Sequence, residues 1–329
     1  MAGVEWATAS RLRYLGFLVF AFLIWYVGPR NLLQALAGTQ FSYLFIALVL
    51  NFPLIALKTC RWRVLLGEAG ISLPMMTAFR AYAAGIFIGC LTPGRLGEFI
   101  KAAYVSQSSG EAAGKALPSV LIDRLYDLYF LLILGLIGLF HYSLAGDQDS
   151  LLILMLLVGV LFGLPVLIST PKLGNWLRQS PTVAKLKVSW QETLLEIHGQ
   201  LASLTVASLV RGFGFTAFAY LIFFFQCQLG AWGTGVKIPF VDLVLVMSVT
   251  NLLTFLPVSI SGIGVRDVSL VVLLARFGIG QARAVAFSLA ILIIFYVGGV
   301  LIGSICWVWE PVKLGAARTI GVQNSFDNK

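Results

Sequence analysis

Three short stretches place charge inside an otherwise lipid-soluble chain. CLTPGRLGEFIKAAY, residues 90–104, sets Arg95, Glu98 and Lys101 beside Pro93, Gly94 and Gly97. DRLYD holds Asp123, Arg124 and Asp127, and spacings of three and four put such residues on one helical face. LPVSISGIGVRD ends on Arg266 and Asp267, after Pro257, Gly262 and Gly264. The chemistry open to these groups is recognition rather than bond-making. A guanidinium grips an anionic headgroup bidentately, and a carboxylate beside it balances the cation in the empty state or takes up a proton.

Each residue also has a plainer reading. Glu98 begins a restarted helix, where a carboxylate complements the helix dipole. Arg95 and Lys101 can run their apolar stems to the membrane surface, and Lys101 fits that role better. Arg124 and Asp127 suit an ion pair at the membrane interface that fixes the neighbouring segment. Arg266 and Asp267, adjacent and aimed differently, need not pair with each other; they look like counterparts of Arg95 and Glu98. Arg211 is a weaker candidate for the same site. The two histidines, His141 and His198, lie far from either break, and the four cysteines are isolated, so no metal site, redox pair, cofactor or catalytic residue is expected.

The elements that must position these groups follow from composition. The chain of 329 residues is 59% apolar and only 11% charged, against roughly a quarter charged in soluble domains. Continuous apolar runs near the roughly 20 residues of a bilayer crossing imply an all-α polytopic membrane protein. A β-barrel would alternate instead. The net charge of +9 reads as basic residues kept on cytoplasmic loops, with attraction to anionic lipid headgroups second and nucleic acid excluded.

Spans are expected at Leu12–Gly28, Phe41–Leu57, Leu117–Tyr142, Leu151–Ile168, Ser203–Leu229 and Ala284–Trp309. The first follows Arg11 and Arg13 without a small-residue cleavage site, so it reads as a retained anchor. Two apolar arms, Met76–Leu91 and Val241–Leu256, run into the breaks and return as short helices. An amphipathic helix over about 176–199 is expected on the cytoplasmic membrane surface. Basic clusters at 58–63, 106–115 and 172–187 and in the tail fall on one side, and the acidic loop 142–150 on the other, only if each broken segment enters and leaves on one face. That predicts six full spans and two oppositely oriented re-entrant hairpins, with both termini cytoplasmic. The first repeat half is 1–145, with its hairpin at 76–105. The second is 146–310, with its hairpin at 241–277, and 311–329 forms the tail. Broken segments at matching positions in two inverted halves point to a transport site. Non-helical backbone is tolerated at membrane depth only inside protein or beside water, so the hairpin tips should line an internal cavity. Gly85 and Gly89 form a GxxxG, read as a close packing face.

LTPGRLGEFIKA, SVLIDRLYDL and LPVSISGIGVRD resemble, in that order, three signatures of the lysylphosphatidylglycerol synthase/flippase transmembrane family. The resemblance covers residues 12–310 and places Pro93, Gly94, Gly97, Glu98, Arg124, Asp127, Pro257, Gly262, Gly264, Arg266 and Asp267 at motif positions. The family often has Glu where this chain has Asp123 and Asp267. About 20 residues follow the last expected helix, so the resemblance implies a flippase-like unit without the soluble aminoacyl-transferring domain. The implied role is movement of a polar or anionic glycolipid or a hopanoid-type lipid between leaflets of the bacterial-type inner membrane. The rivals are an intramembrane lipid-modifying transferase and a non-transporting scaffold for a lipid-synthesis enzyme.

Overall fold

The fold is described from a computed structural model. It covers residues 25, 30, 33, 34, 37–90, 92, 96–110, 113–143, 171–180, 188–254 and 264–310. The span expected at Leu12–Gly28 apart from Trp25, the span at Leu151–Ile168, residues 144–150 of the acidic loop, the tail, Pro93, Gly94, Arg95, Pro257 and Gly262 lie outside the described residues. Every regular element among those described is helical.

The order of elements is a long helix, a pair of shorter helices and a long helix, twice over. Phe41–Val49 (α1) and Asn51–Glu68 (α2) form one long helix interrupted at Leu50. Pro53 accounts for the interruption: its ring crowds the carbonyl of Val49, four residues back, and it offers that carbonyl no N–H. Met75–Cys90 (α3) then packs against a 3-10 turn, Leu96–Phe99, and Ile100–Ser109 (α4). Ala113–Ser143 (α5) closes the first set. In the second set, Val206–Gly233 (α8) precedes the packed pair Phe240–Thr254 (α9) and Val265–Ala275 (α10). The last long helix comprises Gln281–Leu292 (α11), a π-helical turn at Ile293–Val297 and Gly298–Trp309 (α12). Between the sets lie Pro171–Gln179 (α6) and Val188–Ser203 (α7). The single amphipathic helix expected over 176–199 is therefore divided, with Ser180 already non-helical.

Three helices among the described residues are long and apolar enough to cross a membrane: Phe41–Glu68, Val206–Gly233 and Gln281–Trp309. The first corrects the expected end at Leu57. The helix runs straight through Lys58, Arg61 and Arg63, so that basic cluster is not a loop. It stays helical because its inward cations meet carboxylates inside the protein. The arms α3 and α9 are apolar but have only 16 and 15 residues, or about 24 Å at helical rise, short of a roughly 30 Å hydrocarbon core.

Matching connections join the elements. Gly70 and Gly235 both adopt positive φ, 72° and 71°. Each follows a long helix and closes it with the same bonds: Gly70 N–H to Gly67 and Ile71 N–H to Leu66, Gly235 N–H to Trp232 and Val236 N–H to Ala231. Each is followed four residues later by a proline, Pro74 or Pro239, whose carbonyl accepts the first bond of the next helix. The segments GISLP and GVKIP are thus equivalent linkers. The long helices before them lie antiparallel. Gln40 N–H bonds Gly233 O, Gln226 Nε2 bonds Ala47 O and Arg61 Nη1 bonds Thr216 Oγ1, so the numbers run in opposite directions. The third helices also correspond. α5 packs on α4 of its own set and α9 of the other, while the last helix packs on α10 of its own set through α11 and on α3 of the other through α12.

The surface and interior are partitioned as lipid demands. Phe41, Phe45, Phe218, Val206 and Val308 face outward, whereas Arg61, Lys101, Asp123 and Asp267 are fully buried. Long apolar side chains outside and ion pairs inside reverse the usual soluble pattern.

Candidate functional site

A cavity of about 320 Å³ lies where the two sets meet. Cys90, Leu96 and Glu98 reach it from the break of the first helix pair, and Asn251 and Thr254 from the end of α9. Lys58, Arg124 and Asp127 add charge, and Tyr82, Tyr220 and Tyr296 add aromatic faces with hydroxyl groups.

Local sequence explains the cavity's first wall. The two arms of the first pair approach so closely that a methyl group on Gly85 would stand 2.9 Å from the Lys101 stem and one on Gly89 2.8 Å from the Glu98 stem. GxxxG is thus the face on which the return arm rests, as its spacing predicts. Gly97 is tighter still, since a Cβ there would overlap the Ile88 carbonyl. Its N–H donates to Thr92 Oγ1 at 2.7 Å, which satisfies a backbone donor at the break.

The charges form a chain of ion pairs running inward from the cavity. Glu98 pairs with Arg124. Lys101 Nζ lies 2.9 Å from Asp123 and 3.9 Å from Glu98. Arg61 donates from Nε to Asp123 and from Nη1 to Asp127, both at 2.8 Å. Lys58 donates to Asp127 at 2.9 Å. Tyr82 OH also donates to Asp123, at 2.9 Å, and the Lys101 ammonium lies 4.0 Å from the centre of the Tyr82 ring. Each carboxylate holds at least one cation, and Asp123 and Asp127 each hold two. This satisfaction makes the cluster tolerable, because an uncompensated buried charge costs several kcal/mol.

The sequence readings fare unevenly here. Arg124 and Glu98 converge on the cavity, as the sharper reading of DRLYD expects. Arg124 does not pair with Asp127, which is taken by Arg61 and Lys58. Lys101 does not reach for the surface; it is fully buried and bonded to Asp123. Arg266 and Asp267 do pair, Nη2 to Oδ1 at 2.8 Å. The reason is a cap. Gly264, at φ 87°, starts α10, and Asp267 Oδ2 accepts its N–H at 2.8 Å. That folds the carboxylate back to where the guanidinium reaches it. Ser288 of α11 also donates to Asp267, and the Arg266 guanidinium stands 5.4 Å from the centre of the Tyr296 ring, which is a cavity wall. Arg211 is exposed on α8 and joins neither group. Lys58 and Arg61 were not among the candidate residues. The signal for them was the acidic face of DRLYD, which needs buried cations from another helix.

Opposite the ion pairs, the helix of Asn51 and the last helix are bonded together. Asn51 Nδ2 donates to Leu48 O at 3.1 Å and to Ile294 O at 2.8 Å. It thus bonds one carbonyl beside the interruption at Leu50 and one in the π turn. Such turns recur at functional sites, and here Phe295 and Tyr296 of the turn face the cavity.

The family model described as the lysylphosphatidylglycerol synthase TM region matches residues 13–303. A UPF0104 membrane protein of Methanothermobacter thermautotrophicus is 27% identical over 91% of this chain and 92% of its own. Matches to UPF0104 membrane proteins of Methanocaldococcus jannaschii, 23% identical, and Pyrococcus horikoshii, 22% identical, cover 44% and 47% of each chain, so those alignments span about half the length of these relatives. No solved structure matches the chain. With the matched region spanning nearly all described elements and both charged groups, the chain belongs to the membrane-protein family of the lysylphosphatidylglycerol synthase transmembrane region.

Proposed function

We propose that this protein moves the polar headgroup of a membrane lipid between the leaflets of the inner membrane. On this reading the headgroup passes through the central cavity while the acyl tails stay in the bilayer, and the protein acts as a carrier, not an enzyme. The two sets of helices act as inverted halves, and the helix pairs α3–α4 and α9–α10 act as re-entrant hairpins, one from each face. One observation carries the reading: a cavity lined by ion-paired side chains lies where the break of the first helix pair meets the end of an arm of the second. Such a chamber hydrates a headgroup inside a shell that is apolar outside. The antiparallel packing of the equivalent long helices supports the inversion, and the shortness of the arms supports re-entry. The family supports a lipid-related role.

The test is reconstitution of the purified protein in liposomes with fluorescent lipids of anionic, zwitterionic and sugar headgroups, read by dithionite quenching. Glu98→Gln with Arg266→Ala should slow exposure of the reporter at least tenfold. Wild-type protein that leaves every reporter in its leaflet removes the transport reading. Co-purification of a lipid-synthesis enzyme with such inactive protein would then favour the scaffold.

A further inference from the structure

The ion pairs around the cavity show which charge a ligand can take without stranding a carboxylate. Among the described residues the cluster holds four cations, Lys58, Arg61, Lys101 and Arg124, against three carboxylates, Glu98, Asp123 and Asp127. One cation is therefore in excess. Withdrawing Arg124 would leave Glu98 only Lys101, at 3.9 Å and already bonded to Asp123. Arg61 and Lys101 are fully buried and do not line the cavity. Lys58, like Arg124, reaches the cavity, but its carboxylate has a second close partner. Its departure leaves Asp127 still held by Arg61 at 2.8 Å. Its side chain is 19% exposed, and it lines the cavity. Its flexible stem carries the ammonium past the Tyr220 ring, 5.1 Å from the centroid, on the same wall.

We infer that Lys58 reads the charge of the ligand: it swings from Asp127 to a single anionic group, the phosphodiester of a lipid headgroup, while Arg61 keeps Asp127 neutralised. The site is thereby selective for a headgroup with one negative charge, since among the described residues of the cluster one cation is available and the rest are committed. This assignment rests on the proposed transport only for the lipid source of the anion. The same phosphate chemistry is also offered by free phosphate.

The experiment is equilibrium binding to the purified full chain in dodecyl maltoside, followed by tryptophan fluorescence. Three probes are titrated: dihexanoyl-phosphatidylglycerol, the uncharged dihexanoylglycerol and inorganic phosphate. Lys58→Met should weaken the phosphatidylglycerol probe about tenfold or more, the worth of a charge-assisted hydrogen bond, and leave the uncharged probe unchanged. Lys58→Arg should restore the anionic probe to within about threefold, because the charge is kept. Phosphate should bind more weakly than the phosphatidylglycerol probe. The inference is overturned if wild type fails to bind the anionic probe or if Lys58→Met binds it as wild type does. It is also overturned if phosphate alone binds through Lys58 while the lipid does not compete. Should Lys58→Met fail to give a folded protein, the Arg variant still decides, since loss of anion binding with the charge retained contradicts the assignment. Lys58-dependent binding without lipid movement in liposomes would remove the transport reading and leave this one standing.

Discussion

Because the described cluster carries one surplus cation, removing a carboxylate and removing a cation should have unequal effects. Asp123→Asn keeps the side chain's shape and deletes one of the three negative charges. Arg61 Nε and Lys101 Nζ, at 2.8 and 2.9 Å, then face an amide, and the buried excess rises from one to two. Breaking a buried pair from one side costs about 3–5 kcal/mol. Lys58→Met moves the cluster the other way, toward neutrality, and Asp127 keeps Arg61 at 2.8 Å, so no carboxylate is stranded and a smaller loss is expected. Adding Lys101→Met to Asp123→Asn returns the excess to one and should recover part of the loss, because residues in one network do not act additively. The assay is thermal unfolding in dodecyl maltoside by intrinsic fluorescence, with the monodisperse fraction after heating as a second readout. Asp123→Asn should melt lowest, the double variant above it, and Lys58→Met close to wild type. A double variant whose loss equals the sum of the single losses, or an Asp123→Asn protein as stable as Lys58→Met, would refute the reasoning from charge balance.

Further outcomes follow from other contacts. Gly97→Ala should destabilise the first helix pair by about 1–3 kcal/mol, read as a lower melting temperature, because its methyl group meets the Ile88 carbonyl, which is backbone and cannot turn aside. Ser288→Ala removes a hydrogen bond to the buried Asp267 and should lower stability by about 1–3 kcal/mol; unchanged melting would show that Arg266 and the Gly264 cap suffice. For topology, single cysteines at Ser72 and Ser108, flanking the first pair in a cysteine-free background, should react with an impermeant maleimide from the same side. Cysteines at Lys237 and Gln281, flanking the second pair, should react together from the opposite side. Labelling of Ser72 and Ser108 variants from opposite faces would exclude a re-entrant hairpin.

The helical class, the first break and the meeting of Glu98 with Arg124 were legible because each leaves a local mark: a long apolar run, a Pro–Gly cluster, charges at helical spacing. The partners of Asp123 and Asp127 were not legible in the same way. Lys58 and Arg61 follow an apolar run, where basic residues usually mark the end of a span. Only the buried carboxylates on another helix, more than sixty residues away, turn that end into an interior. The pairing of Arg266 with Asp267 was hidden for a different reason. Adjacent residues do not face each other on a regular helix, but Asp267 sits in the first turn and bends back to cap Gly264. The equivalent linkers GISLP and GVKIP were legible in principle. Five residues, two of them identical and two more both aliphatic, are a weak signal until the structure shows the same bonds closing both helices.

These features converge on the last helix. α11 holds the second helix pair through Ser288 and Asp267. α12 holds the first: Gly303 sits so close to Ala83 that no Cβ fits, Arg80 pairs with Glu310 at 3.1 Å and Tyr104 OH donates to the Glu310 carbonyl at 2.6 Å. Between the two lies the π turn, bonded by Asn51 and forming a cavity wall with Phe295 and Tyr296. Packed elements shift between discrete arrangements rather than deform smoothly. The turn that walls the cavity links the segments that hold the two pairs. Because Tyr296 also lies over Arg266, a displacement of this turn would alter the surroundings of the second pair's buried charges and of the cavity together.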